Sequence, residues 1–117
     1  MATIQNFTIE QNATFKKRLI WKATTGKPVN LTGYTAKLQI RDTALSAAVL
    51  FELSTANARI VITPISGVID LVITDEDTGA ISFTSGVYDL NMFLPDGSVR
   101  RLIQGKITVS AGVTKPL

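Results

Sequence analysis

Pro28-Val29-Asn30-Leu31-Thr32-Gly33-Tyr34-Thr35-Ala36-Lys37-Leu38-Gln39-Ile40 sets a sharp corner directly before a clean alternation of apolar and polar residues. Proline fixes its own φ and disfavours helix in the residue before it, so Pro28 ends the preceding segment. Thr32-Gly33 redirects the chain, and Leu31 is placed to plug an apolar interior from the loop. From there Tyr34, Ala36, Leu38 and Ile40 point one way and Thr35, Lys37, Gln39 and Arg41 the other. A period of two is a strand with one dry face.

The same period recurs on both sides of this stretch. Ile4 to Ile9 reads as a first strand and Ala13 to about Thr24 as a second, with Ala13, Phe15, Leu19, Trp21 and Ala23 on its dry face. Lys17 interrupts that face, which predicts a bulge or strand end beside it. Further on, Val49, Phe51 and Leu53 alternate, then Ile60 and Ile62, then Ile69, Leu71 and Ile73. Asp75-Glu76-Asp77 after Thr74 predicts one short helical turn, capped by Thr74 or Asp75 and ended by Gly79. Tyr88, Leu90, Met92 and Leu94 lead into Pro95-Asp96-Gly97, a turn tripeptide, and the return strand runs from Val99 to Val109. About eight strands with turn residues at short intervals predict an all-β antiparallel β-sandwich. The 117 residues are expected to form a single domain, 1–117, with extended ends at 1–5 and 110–117 that can order on binding.

Composition narrows the function. Hydrophobic residues make up 45% of the chain, as in globular proteins, while charged residues make up 18%, below the usual quarter or so. The low charge content points to a surface partly covered by partners. With no cysteine and no histidine, disulfides, thiolate metal sites and the commonest general base are absent. The acidic run at 75–77 does not continue into a calcium loop, since position 86, where that loop needs its bidentate Glu, is Gly. Asp70 and Asp89 fall on outward strand positions rather than facing one another as an acid–base pair. There is no phosphate-binding glycine pattern and no Gly-x-Ser-x-Gly. The residues predict no enzyme, no cofactor, no metal and no small-molecule substrate. No apolar run approaches the length of a membrane span, and the N-terminus lacks the pattern of a secretory signal.

The candidate functional residues are therefore those of an interface. Lys16, Arg18, Arg100 and Arg101 belong to the two densest basic spots, and Ile20 and Phe93 are apolar residues on the polar side of their strands. The basic spots fit either a solvated edge strand that avoids self-pairing or a contact for an acidic protein. Nucleic acid fits less well, because the net charge is only +3 and the nearby aromatics, Phe15 and Trp21, fall on the dry face.

The order of four pieces resembles the N-terminal domain of the upper baseplate proteins of tailed bacteriophages. They are the upstream "ATFKKRLIW", the corner Pro28, Val29, Asn30, Leu31, Thr32, Gly33, the middle section "FELSTANARIVITPISGVIDLVIT", and the closing "SGVYDLNMFLPDGSVRRLIQGKITVS" with its Pro95, Asp96, Gly97 turn. The resemblance spans about Ala13 to Thr114. It implies an immunoglobulin-like β-sandwich and a structural role in the virion, assembled in the bacterial host cytoplasm. It further implies several copies in a symmetric assembly, held by contacts with other phage virion proteins. A tail, baseplate or tail-fibre attachment module is the leading expectation; a capsid decoration or head–tail neck protein of the same fold is the alternative, and a nucleic-acid-binding module the weakest.

Overall fold

The computed structural model describes residues 3–114. Nine strands and one helical turn follow in chain order. They are β1 (Thr3–Ile4), β2 (Phe7–Glu10), β3 (Phe15–Ile20), β4 (Thr35–Arg41), β5 (Phe51–Ser54), β6 (Ile60–Thr63), β7 (Val68–Ile73), α1 (Asp75–Gly79), β8 (Ser85–Phe93) and β9 (Val99–Ser110). A six-stranded sheet has the order β1-β9-β8-β4-β5, with β2 also on β9, and a three-stranded sheet has the order β3-β7-β6. The two sheets face each other as an immunoglobulin-like β-sandwich.

Period-two patterning builds the interior. Ala36, Leu38 and Ile40 of β4, Ile69, Leu71 and Ile73 of β7, and Tyr88, Leu90 and Met92 of β8 are all buried. Burial of each large apolar side chain contributes about 1.5–3 kcal/mol. Leu31 plugs the core from its loop at 1% exposure, tied by its N–H to the Pro64 carbonyl at 2.9 Å. Asn30 Oδ1 accepts from the Thr32 N–H at 3.0 Å, an Asx turn that shapes the corner without a helix or ladder. Thr74 caps α1 by accepting from the Asp77 N–H. Among the described residues no buried side-chain nitrogen or oxygen lacks a partner.

Several expectations are corrected. The second strand stops at Ile20 rather than about Thr24. Beyond it Trp21 donates to the Gly67 carbonyl and accepts from Val29, and Lys22 bridges Pro28 in isolation. Of the two alternatives at Lys17 the bulge is absent, since β3 and β7 pair without a register shift from Phe15↔Ile73 to Ile20↔Val68, while the strand start lies two residues before it, at Phe15. As β3 is an edge strand, the Lys17 stem lies over the sandwich margin, its ammonium 5.7 Å from the Phe7 ring centre, and its charge stays in water. The irregularity falls instead in the hairpin, between Leu90 and Asn91, where β9 carries Leu102 as an extra residue. Val49 lies outside β5 and is 41% exposed.

The N-terminal end is paired rather than free over the residues described. Thr3–Ile4 and Phe7–Glu10 run parallel to β9 in one continuous register, Thr3↔Ile103 through Glu10↔Ser110. The break at Gln5-Asn6 crosses β9 at Gly105, where a β-carbon would collide with the Gln5 carbonyl. Ser110 closes β9 rather than opening a loose tail. Residues 1–2 and 115–117, also assigned to extended ends by the sequence, lie outside the described residues.

Candidate interaction surface

The sandwich has two long sides, and they differ. On one, the chain crosses from β5 to β6, and side chains close the edge: Asn57 Nδ2 and Arg59 Nη1 both donate to the Glu52 carbonyl, at 3.1 and 3.0 Å. Arg59 also pairs with Asp77 at 2.9 Å and lies 4.5 Å from the centre of the Phe51 ring. On the other side, β3 of the small sheet runs beside β1, β2 and β9 of the large one, and that margin stays open.

An open groove of about 860 Å³ occupies this margin, lined by Arg18, Ile20, Trp21 and Lys22 from the β3 segment, Thr3 and Gln5 from the N-terminal segment, and Arg100 and Arg101 from β9. Four of the six candidate interface residues, Arg18, Ile20, Arg100 and Arg101, thus meet in one place. Lys16 stands further along β3, beside a second shallow groove with Lys17, Phe7 and Phe15. Phe93 does not join them: it is half-buried on β8, between Thr35 and Val99.

Strand parity and edge position make this geometry. Lys16, Arg18 and Ile20 share the outer face of β3 because Leu19 faces the core. Ile20 is 52% exposed although large and aliphatic. Trp21, which the sequence places on the dry face, packs against the core and also lines the groove. Tyr34 meets its ring edge-on at 6.0 Å, and the Arg100 guanidinium lies 5.9 Å from its centre. Such cation–π contacts contribute about 0.5–1 kcal/mol at exposed sites.

The charges divide into paired and free. Arg18 donates twice to Asp70, at 2.9 and 3.3 Å, and that bond, then the charge attraction, raises its pKa further. Arg101 pairs with Asp89 at 3.3 Å and donates to Gln104 at 3.0 Å. Among the described residues Lys16, Lys17, Lys22 and Arg100 are in no ion pair. The margin therefore carries net positive charge around an exposed isoleucine and a half-exposed tryptophan. Trp and Arg are among the residues enriched as anchors of protein interfaces.

Two other surfaces are formed. The outer face of the large sheet holds an open hollow of about 540 Å³ lined by residues including Ile4, Val87, Arg41 and Asp89. Arg41 is committed there to the Ser46 and Ala47 carbonyls, at 2.7 and 3.0 Å, and fastens the loop after β4. Val61 and Ile65, 48% and 79% exposed, lie on and beside the small sheet. The sequence missed Val61 because it sits inside the continuous apolar run Ile60-Val61-Ile62, which hides the alternation. No group of three or more His, Cys, Asp or Glu among the described residues is arranged to hold a metal ion.

No protein-family model matches the chain, and no curated protein matches it. Solved structures do. One is the extracellular domain of the voltage-gated sodium channel beta4 subunit, described as parallel homodimers that explain its role in cell–cell adhesion. It is 10% identical, covers 97% of this chain and 96% of its own, and superposes with a TM-score of 0.50. At that identity the likeness defines the class, an immunoglobulin-like β-sandwich, and nothing finer.

Proposed function

We propose that the chain is a small structural module of a tailed-bacteriophage virion, of the tail, baseplate or tail-fibre attachment, and that it works by protein–protein contact rather than catalysis. The observation that carries this reading is the grouping of Ile20, Trp21, Arg18, Arg100 and Arg101 along the open margin between β3 and β9. Exposed apolar residues ringed by Arg favour a protein partner. The family resemblance supplies the setting, and the two corners on which it rests pack against each other, Gly33 on Pro95. Other virion proteins are the partners on this reading, met in several copies of the chain around a symmetry axis.

A protein partner is favoured over nucleic acid at the same groove. The Trp21 ring already holds Arg100 over it and Tyr34 against it, which leaves little free ring for a stacked base. The test is fractionation of phage particles from cells that express the encoding genome, with an antibody against this chain. The chain is expected to band with intact particles after a high-salt wash, and gold label is expected on tails. Label on heads would move the assignment to a decoration or neck protein. A chain found only among unassembled proteins would contradict the virion reading.

A further inference from the structure

We infer that the free edge of β3 accepts an extended, acidic segment of another chain as a fourth strand of the small sheet. The inference rests on the interface reading of the open side, but not on the phage assignment.

The backbone makes the case first. β3 pairs with β7 alone, and at six residues it exceeds the four of β6 and of β5. The β5 edge is further blocked by Asn57 and Arg59 on the Glu52 carbonyl. The Trp21 N–H bonds to Gly67, across β7's side, so by alternation Phe15, Lys17 and Leu19 direct their peptide groups to β7. The N–H and C=O groups of Lys16, Arg18 and Ile20 then face outward. A row of such groups is a template for strand addition.

Charge selects the occupant. Lys16, Lys17, Arg18 and Lys22 line this edge, and Asp70 compensates only Arg18. A second copy pairing β3 to β3 would set these cations against one another, which is destabilising for residues directly opposite. A strand with carboxylates opposite Lys16 and Arg18 and an apolar side chain opposite Ile20 meets each position with its complement. The groove beside β3 leaves space for the added backbone, with Thr3 and Gln5 as its far wall.

The test uses the full chain labelled with nitrogen-15 and short synthetic peptides that carry Glu, Glu and Val at every second position, with Thr between them, so that all three fall on one face. Binding in the roughly millimolar range or tighter is expected, with slowed amide exchange at Lys16, Arg18 and Ile20 and weakening as salt is raised. N-methylating the peptide on the edge that pairs should weaken it at least about tenfold, a loss of one 1.4 kcal/mol step. The double variant Lys16→Glu, Lys22→Glu, changed only at exposed side chains, should prefer a Lys–Val peptide. Three results would overturn the inference: no binding of the Glu–Val peptide, equal binding of both peptides by the unaltered chain, or protection of the same three amides by single-stranded DNA instead. None of these bears on whether the chain bands with particles, so the two readings fail separately.

Discussion

Gly33 lies against Pro95, so that the two corners most visible in the sequence are packed on each other: a β-carbon at position 33 would come within 3.0 Å of Pro95 Cγ. Gly33 has φ +83°, a left-handed conformation that L side chains rarely adopt. Gly33→Val therefore meets both backbone strain and contact with the proline ring. A loss of about 1–2 kcal/mol is expected in urea unfolding, against less than about 0.5 kcal/mol for the exposed Lys37→Ala. Equal midpoints for the two variants would contradict the account of this corner.

Tyr88 ties the N-terminal segment to the sandwich. It is 4% exposed, and its hydroxyl donates to the Gln5 carbonyl at 2.6 Å. Tyr88→Phe is expected to cost about 1 kcal/mol and to speed amide exchange at Ile4 and Gln5 more than anywhere in β4. Uniform acceleration would show that Tyr88 acts on the whole core instead.

The same hydroxyl gives an alkaline limb to stability. Burial raises the Tyr88 pKa above its ordinary 10.0. A group with a raised folded pKa contributes stability that is fully present below the unfolded value and is lost as pH climbs from there through the folded value. Unfolding midpoints measured above about pH 10 should fall, and the fall should be shallower in Tyr88→Phe.

Asp96 has the opposite sign. The Ser98 hydroxyl first, then its backbone N–H, donate to the carboxylate and hold its pKa below the ordinary 3.8. Its contribution is present above the unfolded value and lost as pH falls through the lowered folded one. In an NMR titration Ser98→Ala should move the Asp96 midpoint upward; an unmoved midpoint would assign the shift to something other than Ser98.

Thr78 fastens α1 beneath β3. Fully buried, it donates from Oγ1 to the Ala13 carbonyl at 2.9 Å and contacts the Asp75 carbonyl at 3.0 Å. Thr78→Val keeps the shape and removes the hydroxyl's bond to the Ala13 carbonyl, at an expected cost of about 1 kcal/mol by thermal unfolding. Thr78→Ser, which keeps the hydroxyl, should lose less.

What the sequence made legible follows from where its signals are local. β4, β7 and β8 each alternate over their own length and β9 does so from Ile103 onward, so one pass finds them, and Thr74 with three following acids marks its own helix start. The parallel pairing of β1 and β2 with β9 joins opposite ends of the chain and leaves no trace in either segment alone. Lys17 misled because an edge strand lets a long stem reach water from an inward position, which a buried strand forbids. Trp21 read as core and is half so; only the open margin beside β3 shows its second role. Of the candidate interface residues, the groove gathers Arg18, Ile20, Arg100 and Arg101 from distant segments. Phe93 fell outside because β8 is flanked on both sides and its outer face is partly covered.

The claim beneath all of this is that other proteins grip the open side of the sandwich. A photo-crosslinking phenylalanine in place of Ile20, compared with the same group in place of Lys37 on the large sheet, tests it in assembling particles. The account predicts a covalent adduct to another virion protein from position 20 and little from position 37. Adducts from position 37 with none from position 20 would contradict it.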